Sequence, residues 1–248
     1  MLEGLLAVDW RKLHHAFGTA EDVPRLLHAL NSPDEKLRKD ALYALHGNIW
    51  HQGTIYEATS HAVPFLWEIL SGPEPCDRSG VAALVGLIAK GGGYHRRNPT
   101  PPEKVCIENC RAAVRNGLGI AETQLASKDV ELRMLCAHIL ASFPEDAERS
   151  RPALRAALQR EKDVGRRAGL GMALMILGEP AMDAFASPEP TVLPLARLQE
   201  FTQRALDGLT EREYVLDFIF ELSLIDIDVD TILEWIDDRA RWGGDDEI

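Results

Sequence analysis

Apolar residues recur at helical spacing through almost the whole chain. Val23, Leu26, Leu27 and Leu30 mark one face, Leu37, Ala41, Ala44 and Leu45 a second, and Val81, Leu84, Val85 and Ile88 a third. The same interval returns in Cys106, Cys110, Ala113 and Gly117, in Leu132, Leu135, Cys136 and Ile139, in Val215, Phe218, Ile219 and Leu222, and in Val229, Ile232, Leu233 and Ile236. A period near 3.6 puts each set on one side of an α-helix, and no segment alternates long enough to read as a strand. The breaks NSPDE, SGPEPCD, KGGGYHRRNPTPPE, FPED, LGEP and SPEPTVLP gather most of the 14 prolines. They predict about ten or eleven short helices. In SPDE, Ser32 is expected to cap a helix, with Pro33 in its first turn and Glu35 reaching back to close a capping box.

The helix starts repeat. DEKLRKDA (34 to 41), DVELRMLC (129 to 136) and DVGRRAGL (163 to 170) each place an Asp four residues before an Arg: Asp34 and Arg38, Asp129 and Arg133, Asp163 and Arg167. A fainter copy, DRSGVAAL (77 to 84), has Val81 where the arginine would stand. The starts lie 43, 52 and 34 residues apart, an interval at which repeats stack into solenoids.

On these residues the chain resembles the HEAT-repeat proteins, in particular a short bacterial form whose second helix opens with Asp, a variable pair, an apolar residue, Arg and then a small residue. The match covers residues 20 to 178, and the flanks follow by periodicity alone. HQGTIYEAT also resembles a segment of bacterial HEAT-repeat proteins. The resemblance implies an all-α superhelix of stacked antiparallel helix pairs, taken as one domain over residues 1 to 248. Within it a capping helix occupies 1 to 18, clear repeats 19 to 178, and degenerate repeats with an acidic cap 190 to 248. It also implies a ladder in which Asp34, Arg38, Asp129, Arg133, Asp163 and Arg167 stitch each helix pair to the next, interrupted at Val81. Electrostatics agrees, since an acid in a first turn meets the positive end of the helix dipole and a guanidinium can bridge to the next acid.

Composition adds bounds. With 46% hydrophobic and 27% charged residues in 248, the chain is that of a globular protein. No apolar run is long enough to span a bilayer, and MLEGLLAVDWRKL lacks the features of a secretory signal, so the expected location is the cytoplasm. Cysteines 76, 106, 110 and 136 form no CxxC pair and read as reduced, mostly buried thiols. The net charge of -12 is uneven: residues 201 to 248 hold 14 acids and 4 bases, residues 1 to 200 hold 25 and 23. Such a field repels nucleic-acid phosphates and favours a basic partner.

The richest stretch in candidate chemistry is HGNIWHQGTIYEATSHAVPFL (46 to 66). His46, His51 and His61 lack the i, i+4 spacing of two ligands on one helical face, and no acid lies between them as in HExxH. The stretch reads as an inter-repeat turn bent at Gly53 and filled by Ile55 and Tyr56, with Trp50, His51, Gln52 and Tyr56 as contact residues for a partner. His14 and His15 are expected on an N-terminal helix lined by Leu2, Leu6, Leu13 and Phe17. Cys106 and Cys110 fall on an apolar line and read as core. KGGGYHRRN lacks the GKS or GKT ending of a P-loop and reads as a basic loop. DIDVDTILEWIDD places Asp226, Asp228, Asp230 and Asp237 at positions one, three, five and twelve of a calcium loop, but Thr231 stands where glycine is required, so it reads as an acidic helix start.

No serine elbow, carboxylate pair or cofactor fingerprint appears in the sequence, so no catalytic residue, metal or cofactor is expected. The functional expectation is a protein-binding scaffold that engages a basic protein through a solenoid groove and its acidic C-terminal region. Trp50, His51, Gln52, Tyr56, Asp226, Asp228, Asp230 and Trp235 would make contacts, with Trp67 and Trp242 as further aromatic anchors. One concrete form is an immunity protein that covers the cleft of a basic toxin domain. The alternatives are enzymes that similar repeats build: a DNA glycosylase, which needs a basic groove, and a bilin lyase.

Overall fold

The computed structural model describes residues 2–72, 76–91, 99–187, 191, 193–208, 212–221 and 229–242. They are mostly helical, with twelve α-helices and two two-stranded hairpins among the described residues. The chain forms two compact units, Met1–Ile120 and Ala121–Ile248, a division the single-domain expectation did not include.

The first unit opens without the expected capping helix. Two single 3-10 turns, Leu5–Ala7 and Trp10–Lys12, lead into a hairpin of β1 (His14–His15) and β2 (Gly18–Thr19). Gly4 at φ 85° and Gly18 at φ 132° adopt backbone that a helix excludes. The supposed apolar line divides accordingly: Leu2 is buried and Leu13 half-buried, Leu6 and Phe17 stand in solvent, and Leu5 and Trp10, off that line, are buried. Leu2 N–H donates to Glu68 Oε2 at 2.7 Å and Trp10 Nε1 to Leu5 O at 2.8 Å, so polar contacts close this segment. His15 is buried; its Nδ1 accepts from Phe17 N–H at 3.0 Å, and its Nε2 lies 2.9 Å from Asp22 Oδ1.

Next come α1 (Val23–Ala29), α2 (Glu35–Asn48), a second hairpin of β3 (Trp50–His51) and β4 (Thr54–Ile55), α3 (Glu57–Ser71), α4 (Arg78–Ala89) and α5 (Pro101–Asn116). Helix α3 is the hub of this unit, packing against α1, α4 and α5. Its buried Ala62, Leu66 and Ile69 supply the face that those helices cover. The contact with α5 requires Gly117 just past the α5 end, where an added Cβ would sit 2.2 Å from the Trp67 indole nitrogen.

The boundary between the units falls in α6 (Leu118–Gln124). The second unit contains α7 (Val130–Ala141), α8 (Ala147–Arg160), α9 (Val164–Ile176), a 3-10 turn at Met182–Phe185, α10 (Leu195–Leu206), α11 (Arg212–Glu221) and α12 (Val229–Trp242). Here α9 is central, touching α7, α8, α10 and α11. Every residue from Ala168 to Ile176 is buried, as an apolar-all-round helix must be. Gly171 lets the 3-10 turn approach, because a Cβ there would fall 2.4 Å from that of Ala184. Buried His138 on α7 lies with Nδ1 2.8 Å from Leu216 O on α11.

The Asp and Arg motif is real, but its parts act differently from the expected ladder. Asp34, Asp129 and Asp163 are N-caps: Asp34 accepts from Lys36 N–H, Asp129 from Leu132 N–H and Asp163 from Arg166 N–H. The arginine four residues on turns back to the loop before its own helix, and two of the three also reach forward, Arg133 to Glu161 Oε2 at 3.0 Å and Arg167 to Asp183 O at 2.8 Å. Arg38 donates to Ser32 O and Pro33 O, Arg133 to Ser127 O and Lys128 O, and Arg167 to Glu161 O. The residue two before each cap completes the unit, since Ser32 Oγ, Ser127 Oγ and Glu161 Oε1 accept the N–H of Asp34, Asp129 and Asp163. Ser32 is therefore not the cap, and Glu35 pairs with Lys39 instead of reaching back. In the fainter copy Asp77 caps through Gly80 N–H, and Arg78 does the work of the missing arginine by donating to Gly72 O. Glu161 joins two helices in this way, pairing with Arg133 at 3.0 Å and Arg166 at 3.3 Å.

Candidate protein-binding surface

The sequence stretch richest in histidine forms a tight hairpin rather than an irregular turn. Trp50 pairs with Ile55 and His51 with Thr54. The two loop residues between them, Gln52 at φ 49° and Gly53 at φ 85°, both take left-handed backbone, as a two-residue hairpin turn with the right-handed twist of strands requires. The legs are clamped from below by Thr59, in the first turn of α3. Its hydroxyl donates to Ile49 O at 2.6 Å and accepts from Tyr56 N–H at 2.9 Å, and the residue is fully buried.

The first hairpin docks on the C-terminal end of α2, where Ala16 N–H donates to Asn48 O at 3.0 Å. This places Phe17 beside the second hairpin, its ring 5.3 Å from that of His51 in an edge-to-face arrangement. Gly47 lies beside this ring, where a Cβ would stand in ordinary contact with Phe17 Cε2 at 3.9 Å. Tyr43 lies one helical turn before Gly47, on the same face of α2. His46 and Trp50 form a second edge-to-face pair at 6.3 Å. Burial lowers the His46 pKa, which keeps that ring neutral. The result is an aromatic surface of Phe17, Tyr43, His46, Trp50 and His51, with Phe17 70% and Tyr43 84% exposed.

Of the residues expected to meet a partner, Trp50 and His51 join this surface half-buried, and Gln52 is exposed at the hairpin tip. Tyr56 caps α3 half-buried, and burial raises its hydroxyl pKa. Trp67 is buried, so it is core and not an anchor. Trp235 is half-buried with its ring 6.3 Å from Phe218, and Asp230 is exposed at the start of α12. Asp226, Asp228 and the Trp242 side chain lie outside the described residues, as does most of the KGGGYHRRN loop. Asp237, the last position of the supposed calcium loop, pairs with Arg197 on α10, and Thr231 lies within α12. Cys110 is buried as expected, whereas Cys106 is half-exposed. Among the described residues no group of three or more His, Cys, Asp or Glu could hold a metal ion.

Phe17 is not legible as a surface residue, because its spacing from Leu13 puts it on a helical apolar line. Tyr43 carried a signal, because it falls off the face marked by Ala41 and Leu45.

Charge divides between the units even more sharply than along the sequence. Residues 1 to 120 hold 13 acids and 13 bases, and residues 121 to 248 hold 26 and 14, so the whole surplus of -12 belongs to the second unit. Several of its arginines are already matched: Arg149 with Glu122, Arg155 with Glu179 and Asp183, Arg197 with Asp237. Compared with protein-family models, curated proteins and solved structures, the chain matches none.

Proposed function

We propose that the protein is a non-catalytic binding module for a basic protein, anchored by the aromatic surface of the first unit and attracted by the acidic field of the second. The observation that carries this reading is the exposure of Phe17 and Tyr43 on a surface whose other rings are fixed by edge-to-face contacts and by the clamped hairpin. Large aromatic side chains held in place lose little entropy on binding, which is why they dominate interface energetics. The surplus of carboxylates in residues 121 to 248 supplies attraction toward cationic surfaces and repels nucleic acid. A finer form of the proposal is an inhibitor, such as an immunity protein, that covers the active cleft of a basic toxin domain.

The HEAT-like reading of the architecture is also a proposal. It is supported by the repeated cap and clasp at Asp34, Asp129 and Asp163, and by the packing of helices on their neighbours and next neighbours in sequence. The contact of α11 with α7 departs from strict nearest-neighbour stacking.

The test is affinity capture of partners by the tagged protein from its own cell extract at low salt, beside the double variant Phe17→Ala with Tyr43→Ala. One stoichiometric basic protein is expected with the wild type, lost with the double variant and released near about 0.5 M salt. A partner held equally by both forms would refute the aromatic anchor, and one held equally at both salt concentrations would refute the attraction by charge.

A further inference from the structure

His15 is buried between two polar neighbours that make opposite demands on its ring. Nδ1 accepts the Phe17 N–H at 3.0 Å, so that nitrogen carries no proton, and the neutral ring donates from Nε2 to Asp22 Oδ1 at 2.9 Å. The other oxygen of the same carboxylate accepts from Asn48 Nδ2 at 2.7 Å, and Ala16 N–H donates to Asn48 O at 3.0 Å. The first hairpin is thus tied to the end of α2 through Ala16 and Asp22, while Phe17, the exposed ring of the aromatic surface, is tied to His15 through Nδ1.

Imidazole, with an ordinary pKa of about 6.5, changes charge near neutral pH, and once charged both of its nitrogens are donors. A proton on Nδ1 points at the Phe17 N–H, donor against donor, and that bond is lost. The Asp22 side behaves oppositely. Nε2 donates to the carboxylate in both charge states and gains a charge-assisted bond in the second, so the ring takes up a proton without leaving its place. Other charged groups on the surrounding elements are engaged elsewhere or stand in solvent. Arg11 and Lys12 of the 3-10 turn pair with Asp9, and Glu57 of α3 lies 3.3 Å from His14 Nδ1. His61 on α3, Glu21 before α1, and Arg25 and His28 on α1 are exposed. At the end of α2, His46 faces Trp50, and His51 lies beyond Phe17, ring to ring at 5.3 Å.

We propose that His15 is a proton-operated latch on Phe17: uptake of a proton at Nδ1 releases the Phe17 N–H, frees the turn at 16–18 and draws the Phe17 ring from its place against His51. The neutral ring is the one that holds Phe17, so the ordered surface is present at higher pH and lost as pH falls. The consequence for binding rests on the reading of Phe17 as an anchor, whereas the latch belongs to the free protein.

The experiment is a titration of the free full chain from about pH 8 to about pH 5, across the ordinary imidazole range, by nuclear magnetic resonance of labelled backbone and imidazole nitrogens. At the alkaline end the His15 ring should carry its proton on Nε2 alone. On acidification the His15 imidazole and the Phe17 amide should change with one shared midpoint. Protection of the Phe17 N–H against hydrogen exchange should fall about five- to tenfold, the effect of losing one hydrogen bond. His15→Asn keeps a side-chain acceptor for the N–H two residues on, as Asn does in turns, but cannot be charged, so its Phe17 amide should show no such change. A Phe17 transition that persists in His15→Asn, a proton on Nδ1 at the alkaline end, or separate midpoints in the wild type would each overturn the latch. The last two need no variant and decide the matter if His15→Asn does not fold. Dissociation of the captured partner, measured at both ends of the range, separates the two readings: release of Phe17 without faster dissociation would uphold the latch and overturn the aromatic anchor.

Discussion

Glu161 joins two helices of the second unit, α7 through Arg133 and α9 through Arg166. Burial acts to raise its carboxyl pKa, but the Asp163 N–H, the Arg133 guanidinium, the charge of Arg166 and the Lys162 N–H outweigh burial and hold it at about 2. Because the folded pKa lies below the ordinary carboxylate range, this stabilisation is fully present above about pH 4.5 and is lost as pH falls toward about 2. Allowing for solvent at the rim of the pair, it amounts to about 1–2 kcal/mol. Glu161→Gln should lower the denaturation midpoint at pH 7 and flatten the acid limb of stability between those pH values, measured by urea unfolding. An acid limb identical to that of the wild type would show that Glu161 does not carry it. A second residue-scale prediction concerns Gly117, where a methyl group would strike the Trp67 indole at 2.2 Å. Gly117→Ala should cost about 1–3 kcal/mol through overpacking. Trp67 Nε1 has no hydrogen-bond partner among the described residues, so Trp67→Phe removes ring volume without removing a bond seen there. The double variant should then be more stable than the sum of the two single losses implies, and strict additivity in a double-mutant cycle would contradict the contact.

At the scale of elements, the hairpin Trp50–Ile55 depends on Thr59 more than on its own two short pairs. Thr59→Val keeps the shape of the side chain but leaves Ile49 O and Tyr56 N–H without the hydroxyl that serves both. A loss of about 2–3 kcal/mol is expected, with Thr59→Ser recovering most of it. Faster amide exchange at Tyr56 in the valine variant would locate the loss in the hairpin, whereas equal losses in both variants would point to packing instead. This element also marks the limit of what the sequence disclosed. Long amphipathic helices such as Glu35–Asn48 and Val229–Trp242 are visible because many positions report one period. Strands of two residues have no period to report, and Gln52-Gly53 is a less obvious hairpin pair than Asn-Gly. The N-terminal segment misled for a related reason. Leu2, Leu6, Leu13 and Phe17 have helical spacing, but Gly4 breaks the backbone between the first two and Gly18 turns it just after the last. The aspartate caps were legible from position alone, whereas the arginine clasps were not, because their acceptors are backbone carbonyls that any sequence supplies.

In the proposed binding module, anchoring falls to the first unit and attraction to the second, which separates their kinetic effects. The aromatic surface belongs to a unit with balanced charge, and the surplus of -12 belongs entirely to the other. Charge at a distance speeds encounter and is screened by salt, whereas close aromatic contacts act mainly after docking. For the partner captured by the wild type, Phe17→Ala with Tyr43→Ala should raise the dissociation rate at least about tenfold while leaving the salt dependence of association unchanged. Asp230→Asn with Glu234→Gln, two exposed acids on α12, should do the reverse. Association should slow by about two- to threefold at low salt and its dependence on ionic strength should flatten, with dissociation nearly unaffected. Both variants should stay folded with only a small fall in melting temperature, from the lost ring contact with His51 and from the lost first-turn charge of α12. Surface-immobilised kinetics at several salt concentrations reads both rates at once. If neutralising α12 changed dissociation alone, those acids would be direct contacts rather than a source of attraction, and the partner's basic surface would have to reach the second unit itself.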